Sequence, residues 1–314
     1  MAPRGAASPV TPILAVVGPT ATGKTALAVR LARRLGAAEL VNADSRQVLR
    51  GLRVGTNVPD PGQLLGVPCH LLELVDPGSA FSVADWLRAA RACLADLELR
   101  GVRPILVGGT GLYLRALMEG FELDGEPPPP GRRAALDAGA ASPEGLAELA
   151  RELTRLDPGG AAGVDLRNPR RVVRALEIVD RHGSLEAGRR RGGTLPGTLI
   201  GLDAEPALHR RWILERARSM MAGGLVEETA AALRRGISAT ALAAAGIGYQ
   251  EALAVLAGRM DREQAVAGIA RRTHRYARAQ RTWFRAEPRL VWLRRRAEGD
   301  LDGVIEQAME LIAA

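Results

Sequence analysis

The sequence predicts an α/β protein in which a parallel-sheet core carries a helical insertion and a helical C-terminal part. Three observations predict it. The motif Gly18-Pro19-Thr20-Ala21-Thr22-Gly23-Lys24-Thr25 stands between an apolar run at 13–17 and a helical pattern from residue 26. That is G-x-x-x-x-G-K-T in its strand–loop–helix setting, so the core is read as containing a phosphate loop, or P-loop. A second apolar run at 104–107 again leads through glycines into a helix, and such alternation belongs to a parallel sheet covered on both faces. From 123 to 196 the patterns are helical with no convincing strand, before a strand-like run returns at 198–202.

The first twelve residues, rich in Pro, Ala and Ser, read as a loose tail. After the P-loop the helix stops near Gly36, and Glu39-Leu40-Val41-Asn42-Ala43 is a second strand ending in the polar run Asp44-Ser45-Arg46-Gln47. Polar residues at a strand's carboxyl end are where open α/β sheets place their ligands. Residues 51–66, rich in Gly and Pro, read as loop, and His70-Leu71-Leu72-Glu73-Leu74-Val75 as another strand. Ser82 is placed to cap a helix running to residue 99. The strand at 104–107 ends in Gly-Gly-Thr and lacks the terminal Asp that many P-loop NTPases use for Mg²⁺ and water, which weakens a plain ATPase reading. Between 124 and 145 the composition shifts to Pro127-Pro128-Pro129-Pro130 and small residues, a boundary or rigid spacer. After the strand at 198–202 come helices, one over 206–221, and a last strand near 290–293. The expected organisation is therefore 1–122 as the first part of the core, 123–196 as the helical insertion, and 197–314 as core completion with C-terminal helices.

A chain of 314 residues can bury a sizeable core. Its 43 basic and 35 acidic residues give a net charge of +8 and a pI near 10.6, which favours a polyanionic partner such as nucleic acid. Lys24 is the chain's single lysine and every other basic residue of that count is arginine, so a compact ammonium at that position reads as chemically required. Cys69 and Cys93 show no metal-ligand spacing and are too few for a disulfide framework, pointing to a reducing cytosol. No run is long enough for a membrane span or signal peptide, so a cytoplasmic protein without a membrane partner is expected, with a monomer as the default.

In the P-loop, backbone N–H groups and a helix N-terminus converge on a diphosphate, Lys24 neutralises its oxygens and Thr25 can hold Mg²⁺. Asp44, at the strand end beside that loop, is read as a general base, with capping of the following turn as the alternative. Thr110 would face the same crevice or serve a turn. His70, a lone histidine at the head of an apolar strand, reads as structural. Arg167, Arg170, Arg171 and Arg174 recur at i, i+3, i+4 and i+7, one face of a helix, with Val172, Val173, Leu176 and Val179 on another. Arg271, Arg275, Arg278, Arg281 and Arg285 make a second stripe, opposite Ile269, Tyr276, Trp283 and Phe284. Two stripes with net positive charge suggest a bound phosphate backbone. Among Arg210, Arg211 and Arg216, one could clamp a leaving pyrophosphate, and spacing does not say which.

These blocks together resemble the tRNA dimethylallyltransferase, or tRNA isopentenyltransferase, family over nearly the whole chain. The markers are GPTATGKT at 18–25, DSRQVLRGLRVGT at 44–56, VPCHLLELVDP at 67–77, FSVADW at 81–86 and PILVGGTGLYLRAL at 104–117, then RRVVRALEI at 170–178, LHRR at 208–211, GIGYQE at 246–251 and QRTWFR at 280–285. The resemblance implies transfer of a dimethylallyl group from dimethylallyl diphosphate to N6 of adenosine 37 in the tRNA anticodon stem-loop, releasing pyrophosphate with the help of Mg²⁺. It implies Asp44 as general base and Lys24, Thr25 and Arg211 of the LHRR block on the diphosphate. It also implies tRNA contacts from Asp44, Ser45, Arg46, Gln47, Thr110, Arg133, Arg170, Arg171, Val172, Val173 and Arg174, with the helical insertion gripping the anticodon arm. The sequence departs from the family pattern at Leu49 (usually Tyr), Val58 (Lys), Cys69 (His) and Ala279 (Arg), and before Arg170 it reads Val-Asp-Leu-Arg-Asn-Pro.

Three other readings share parts of this pattern. A P-loop kinase for a small metabolite shares the first motif but would want an Arg-rich lid. An adenylate isopentenyltransferase would not need the helical insertion or the paired stripes. A nucleic-acid-binding protein that only senses nucleotide would do no chemistry at Lys24.

Overall fold

The computed structural model describes residues 12–123, 130–188 and 192–313. The first eleven residues of the expected N-terminal tail and Pro127 to Pro129 of the spacer lie outside them. Six strands, β1 (Ile13–Val17), β2 (Ala38–Asn42), β3 (Cys69–His70), β4 (Arg103–Gly108), β5 (Gly197–Ala204) and β6 (Leu290–Arg295), form one sheet in the order β3-β2-β4-β1-β5-β6. Every pairing is parallel. β1 lies inside the sheet, registering Leu14 with Ile105 on one side and with Thr198 on the other. All five of its residues are buried, as a strand covered on both faces demands.

One cover is helix Lys24–Leu35, which buries Leu27, Ala28, Leu31 and Ala32 while Arg30, Arg33 and Arg34 face outward. It ends at Gly36, whose φ of 79° takes the chain out of the helix. The C-terminal helix Leu301–Ala313 adds Val304, Ile305 and Ala308 to the same core. Helix Val83–Leu99 is opened by a capping box between Ser82 and Asp85. Its Trp86 is fully buried, stacks on Tyr113 at 4.4 Å between ring centroids and donates Nε1–H to the Asn42 carbonyl, which ties it to the end of β2.

Two expectations are corrected. The strand expected over 70–75 stops at His70, because Leu71 and Glu73 take positive φ values of 62° and 53° and the Asn42 side chain captures the Leu71 carbonyl. Pairing resumes only as a single bridge between Leu49 and Val75. The segment read as loop over 51–66 contains two one-turn helices, Arg53–Thr56 and Pro61–Leu64. The second is opened by a capping box between Asp60 and Gln63 with Pro61 at its start, a signal present in the sequence.

The chain divides into two compact units, Met1–Met118 with Leu195–Ala314, and Glu119–Thr194. The second unit is built from helices Pro130–Gly139, Pro143–Leu156, Pro158–Ala161 and Pro169–His182. Ser142, Asp157 and Asn168 cap the last three, each just before a proline. Its core joins Leu136 and Leu153 to Val172, Val173, Leu176 and Val179. Among the described residues, no helix is long and apolar enough to cross a membrane.

Candidate active site

The P-loop leaves β1 at Gly18, whose φ is 131° and where a Cβ would lie 2.5 Å from the Leu202 carbonyl oxygen, so only glycine fits. Two side chains then converge on the Pro19 carbonyl, Thr22 Oγ1 at 2.9 Å and Lys24 Nζ at 2.7 Å. Thr20 is gripped by every polar group it has. Its N–H donates to Gln280 Oε1 at 2.8 Å, its carbonyl accepts from His209 Nε2 at 2.8 Å, and its Oγ1 accepts from Arg216 Nη1 at 2.9 Å. Gln280 also donates Nε2–H to the Gly109 carbonyl at 2.9 Å, joining the loop to the end of β4.

His209 is held in one tautomer. Arg281 Nη2 donates to Nδ1 at 3.2 Å, which leaves the proton on Nε2 facing Thr20, and burial pushes the imidazole pKa down so that it stays neutral. Arg281 in turn makes a two-armed pair with Asp203 at the end of β5, both contacts at 2.7 Å. The second basic stripe is thereby corrected. Arg271, Arg275, Arg278 and Arg285 are exposed on helix Arg262–Arg285, but Arg281 turns inward to the buried carboxylate of Asp203. Tyr276 and Trp283, expected on the apolar side, are partly exposed, whereas Ile269 and Phe284 are buried.

Asp44 follows β2 directly. Its Oδ1 accepts the Arg46 N–H at 2.9 Å, so the capping role is met by one carboxylate oxygen, while the other has no hydrogen-bond partner among the described residues. Asn42 Oδ1 holds the Asp44 N–H at 3.0 Å. Thr110 joins the ends of β2 and β4: its Oγ1 accepts the Ser45 N–H at 2.9 Å and its N–H donates to the Ala43 carbonyl at 3.1 Å. Arg46 Nη1 donates to the Ala244 carbonyl, and Gln47 Nε2 to that of Asn57.

A cavity of about 580 Å³ brings these groups together. Its lining includes Thr20, Ala21, Gly23, Lys24 and Thr25 from the P-loop, with Asp44 and Gln47 from beyond β2. Asn57, Pro59 and Gln63 come from the two short helices and the turn between them, and Arg295 from the end of β6. Helix Pro206–Ala222 contributes Trp212, Arg216 and Ser219 at i, i+4 and i+7. Of the three arginines singled out from the sequence, that face carries one into the cavity lining. Arg216 is on it, and Arg211 is not: it is half exposed and paired with Glu298 and Glu215, five residues and a different helix face away.

Burial drives the Lys24 pKa down to about 8, with the nearby Arg216 charge acting in the same direction and Asp44 against both. Tyr113 is pushed up to about 12 by burial and then by the charge of Asp44, so it keeps its hydroxyl proton. His70 stands 2.6 Å from Glu39, which also pairs with Arg100, and is not in the cavity lining.

The remaining expected residues lie in the second unit. Val172 and Val173 are 0% and 1% exposed in its core, so their side chains are unavailable to a nucleic acid, a correction that follows from their place on the apolar face. Arg133 pairs with Glu177 at 2.7 Å and Asp137 at 2.8 Å, and Arg174 with Glu177 at 3.2 Å. Arg171 lies 3.8 Å from Asp165. Arg170 is exposed and makes no ion pair among the described residues. The four departures from the family pattern take quiet positions: Leu49 packs in the cluster around Leu52 and Tyr249, Val58 is buried, Cys69 pairs with Leu40, and Ala279 is exposed.

The site also contains residues that sequence reasoning did not single out. His209 and Gln280 hold the loop, and Glu228 accepts the Val54 and Gly55 N–H groups and the Tyr249 hydroxyl, fixing the segment that supplies Asn57. The signal for His209 and Gln280 was limited to membership in the LHRR and QRTWFR blocks, and Glu228 lies outside every marker block.

The IPP transferase family model matches residues 47–287, and an isopentenyl transferase model matches residues 11–72. The chain is similar to the tRNA dimethylallyltransferase of Roseiflexus sp. (strain RS-1), 40% identical over 285 residues that cover 90% of this chain and 92% of that one. Among solved structures it resembles the tRNA isopentenylpyrophosphate transferase of Bacillus halodurans, with a TM-score of 0.67 and 34% identity over 97% of this chain and all of the other. A eukaryotic dimethylallyltransferase acting on tRNA shares the fold, with a TM-score of 0.79 at 22% identity over 95% of this chain and 77% of that one.

Proposed function

The chain belongs to the IPP transferase family, and from that premise we propose that it transfers a dimethylallyl group from dimethylallyl diphosphate to N6 of adenosine 37 of tRNA, releasing pyrophosphate. The observation that carries the reading is one cavity in which a carboxylate with a free oxygen, Asp44, faces the P-loop residues Lys24 and Thr25 and the half-buried Arg216. The exocyclic amine attacks the allylic C1, the bond from C1 to the diphosphate oxygen breaks with its electrons, and the amine proton passes to Asp44. Lys24, the loop N–H groups and Arg216 receive the charge that grows on the leaving pyrophosphate.

The donor set suits Mg²⁺. Among the described residues no group of three His, Cys, Asp or Glu could cage a metal. Thr25 lines the cavity where phosphate oxygens would supply most of the coordination, the arrangement Mg²⁺ prefers. Bound there through Thr25, it would add positive charge beside the departing pyrophosphate.

The acceptor is the anticodon stem-loop, with the target base turned out of its stack. Ser45, Arg46, Gln47 and Thr110 would meet it at the strand ends, and the helical unit through Arg170 and its neighbours, the protein acting as a cytoplasmic monomer. Purified protein is mixed with Mg²⁺, undermodified tRNA and labelled dimethylallyl diphosphate, with labelled ATP in a parallel tube. Allyl label is expected in tRNA, and Asp44→Ala and Lys24→Ala abolish it. Phosphoryl transfer from ATP, or allyl transfer to free adenine nucleotide alone, overturns the reading.

A further inference from the structure

Three consecutive arginines close β6, and strand alternation separates them. Arg294 and Arg296 face outward, while Arg295 is 9% exposed and lines the same cavity as Lys24, Thr25 and Arg216. Its guanidinium is fixed on three sides. Nε donates to Asp300 Oδ1 at 3.1 Å, Nη2 donates to the Glu298 carbonyl at 2.6 Å, and Cζ lies 4.3 Å from the centroid of the Trp212 ring. Among the described residues Nη1 has no hydrogen-bond partner. That nitrogen lies against the P-loop, because a Cβ added to Gly23 would stand 3.0 Å from it.

A guanidinium fixed in this way, with one donor open to the cavity, is placed to take an acceptor there, and an ionised one binds it most strongly. Stacking on Trp212 and two hydrogen bonds have already fixed the plane, so little freedom is lost when an anion arrives. The two arginines also divide the loop between them. Arg216 reaches it at Thr20, in its first half, and Arg295 at Gly23, in its second.

We propose that Arg295 is a diphosphate-binding residue of this pocket, its Nη1 donating to a phosphate oxygen of the allylic donor and retaining the pyrophosphate as it forms. The identity of that diphosphate rests on the proposed transferase reading; the role of Arg295 in holding a diphosphate does not.

The test compares wild type, Arg295→Met and Arg295→Gln, with the outward-facing Arg294→Met as control. Calorimetry measures binding of inorganic pyrophosphate and of inorganic phosphate, steady-state kinetics give KM for dimethylallyl diphosphate and for tRNA, and thermal unfolding reports the fold of each ligand-free variant. For Arg295→Met, pyrophosphate affinity is expected to fall and KM for the allylic donor to rise by about 10- to 100-fold, the ordinary loss for one charge-assisted hydrogen bond. KM for tRNA stays within about twofold, and Arg294→Met behaves as wild type. If Arg295→Met does not fold, Arg295→Gln, uncharged but still able to donate, carries the same comparison.

A folded variant at residue 295 that binds pyrophosphate within twofold of wild type overturns the proposal. So does an equal loss of affinity for tRNA and for the allylic donor, which would mean a collapsed pocket. Should wild type bind pyrophosphate yet transfer no allyl group, the functional reading fails while the pyrophosphate comparison still decides the role of Arg295.

Discussion

In the P-loop cavity the cations are held mainly by neutral groups. Lys24 donates to the Pro19 carbonyl, Arg216 to the Thr20 hydroxyl, and Arg295 gives one arm to Asp300 while resting on the face of Trp212. In the helical unit Glu119–Thr194, carboxylates hold them. Arg132 reaches Asp180 and Glu152, and Arg133 and Arg174 share Glu177, whose side chain is 2% exposed. Two cation-bearing regions thus differ in how much charge they leave for a ligand. In the cavity the positive potential survives folding and is aimed, whereas in the helical unit much of it is spent on the unit's own helix contacts. Charge counted from the sequence says nothing of this division.

The largest effects are expected where the cavity's aimed groups are removed. Asp44→Asn keeps an oxygen for the Arg46 N–H and so keeps the turn, but it cannot take a proton. The transfer rate measured in single turnovers should fall by about 10²- to 10⁴-fold with little change in tRNA affinity. A drop in tRNA affinity that accounts for the whole effect would make Asp44 a positioning group instead. One step smaller, Arg216→Met should lower the rate by about 10²- to 10³-fold, the range for losing a donor to developing charge. Arg211→Met, at an exposed and internally paired residue, should stay within about threefold of wild type. Equal effects from the two arginines would break the distinction between aimed and compensated cations.

The pH dependence sharpens the same point through Lys24. With its pKa drawn down to about 8, the free protein's ammonium is largely neutral at pH 9, and binding a diphosphate requires it to take up a proton. Affinity for dimethylallyl diphosphate should therefore weaken by about fivefold between pH 8 and pH 9. Stability of the ligand-free protein carries the opposite sign from this residue. Above pH 8 the unfolded chain keeps a proton that the folded chain has lost, so the contribution of Lys24 to stability rises with pH toward its ordinary value of 10.5. Lys24→Met removes both slopes, which a titration of affinity and of unfolding midpoint on the two proteins would read directly.

Much of this was legible from residues, and the failures have physical causes. The P-loop, the buried β1 and β4 and the Ser82 cap declare themselves through glycine geometry, unbroken apolar runs and capping chemistry, all of them local. The strand expected over 70–75 failed because a buried side chain, Asn42, took a carbonyl that a sheet partner would have used. Arg216 could not be separated from Arg211 until the helix face was known, although the spacing of Trp212, Arg216 and Ser219 carried the answer once one of them was fixed. Arg295 had no signal at all. A cation between two cations on an edge strand gives no hint that a tryptophan some eighty residues earlier will turn it inward.

The smallest effects belong to the helical unit, and they test whether paired arginines there support structure while unpaired ones meet RNA. Arg133→Ala takes one of two partners from the buried Glu177 and leaves Arg174 in place, so it should cost about 1–2 kcal/mol of stability. Because Arg133 is already committed to Glu177 and Asp137, the salt dependence of tRNA binding should hardly change. Arg170→Ala should do the reverse. It makes no ion pair among the described residues, so the unfolding midpoint should stay put while the slope of log affinity against log salt falls by about 1, the mark of one lost phosphate contact. If Arg133→Ala flattens the salt slope as much as Arg170→Ala, then its pairs open when RNA arrives. The carboxylates of this unit would in that case act as competitors that the phosphates displace, and the contrast between the two regions would be one of degree.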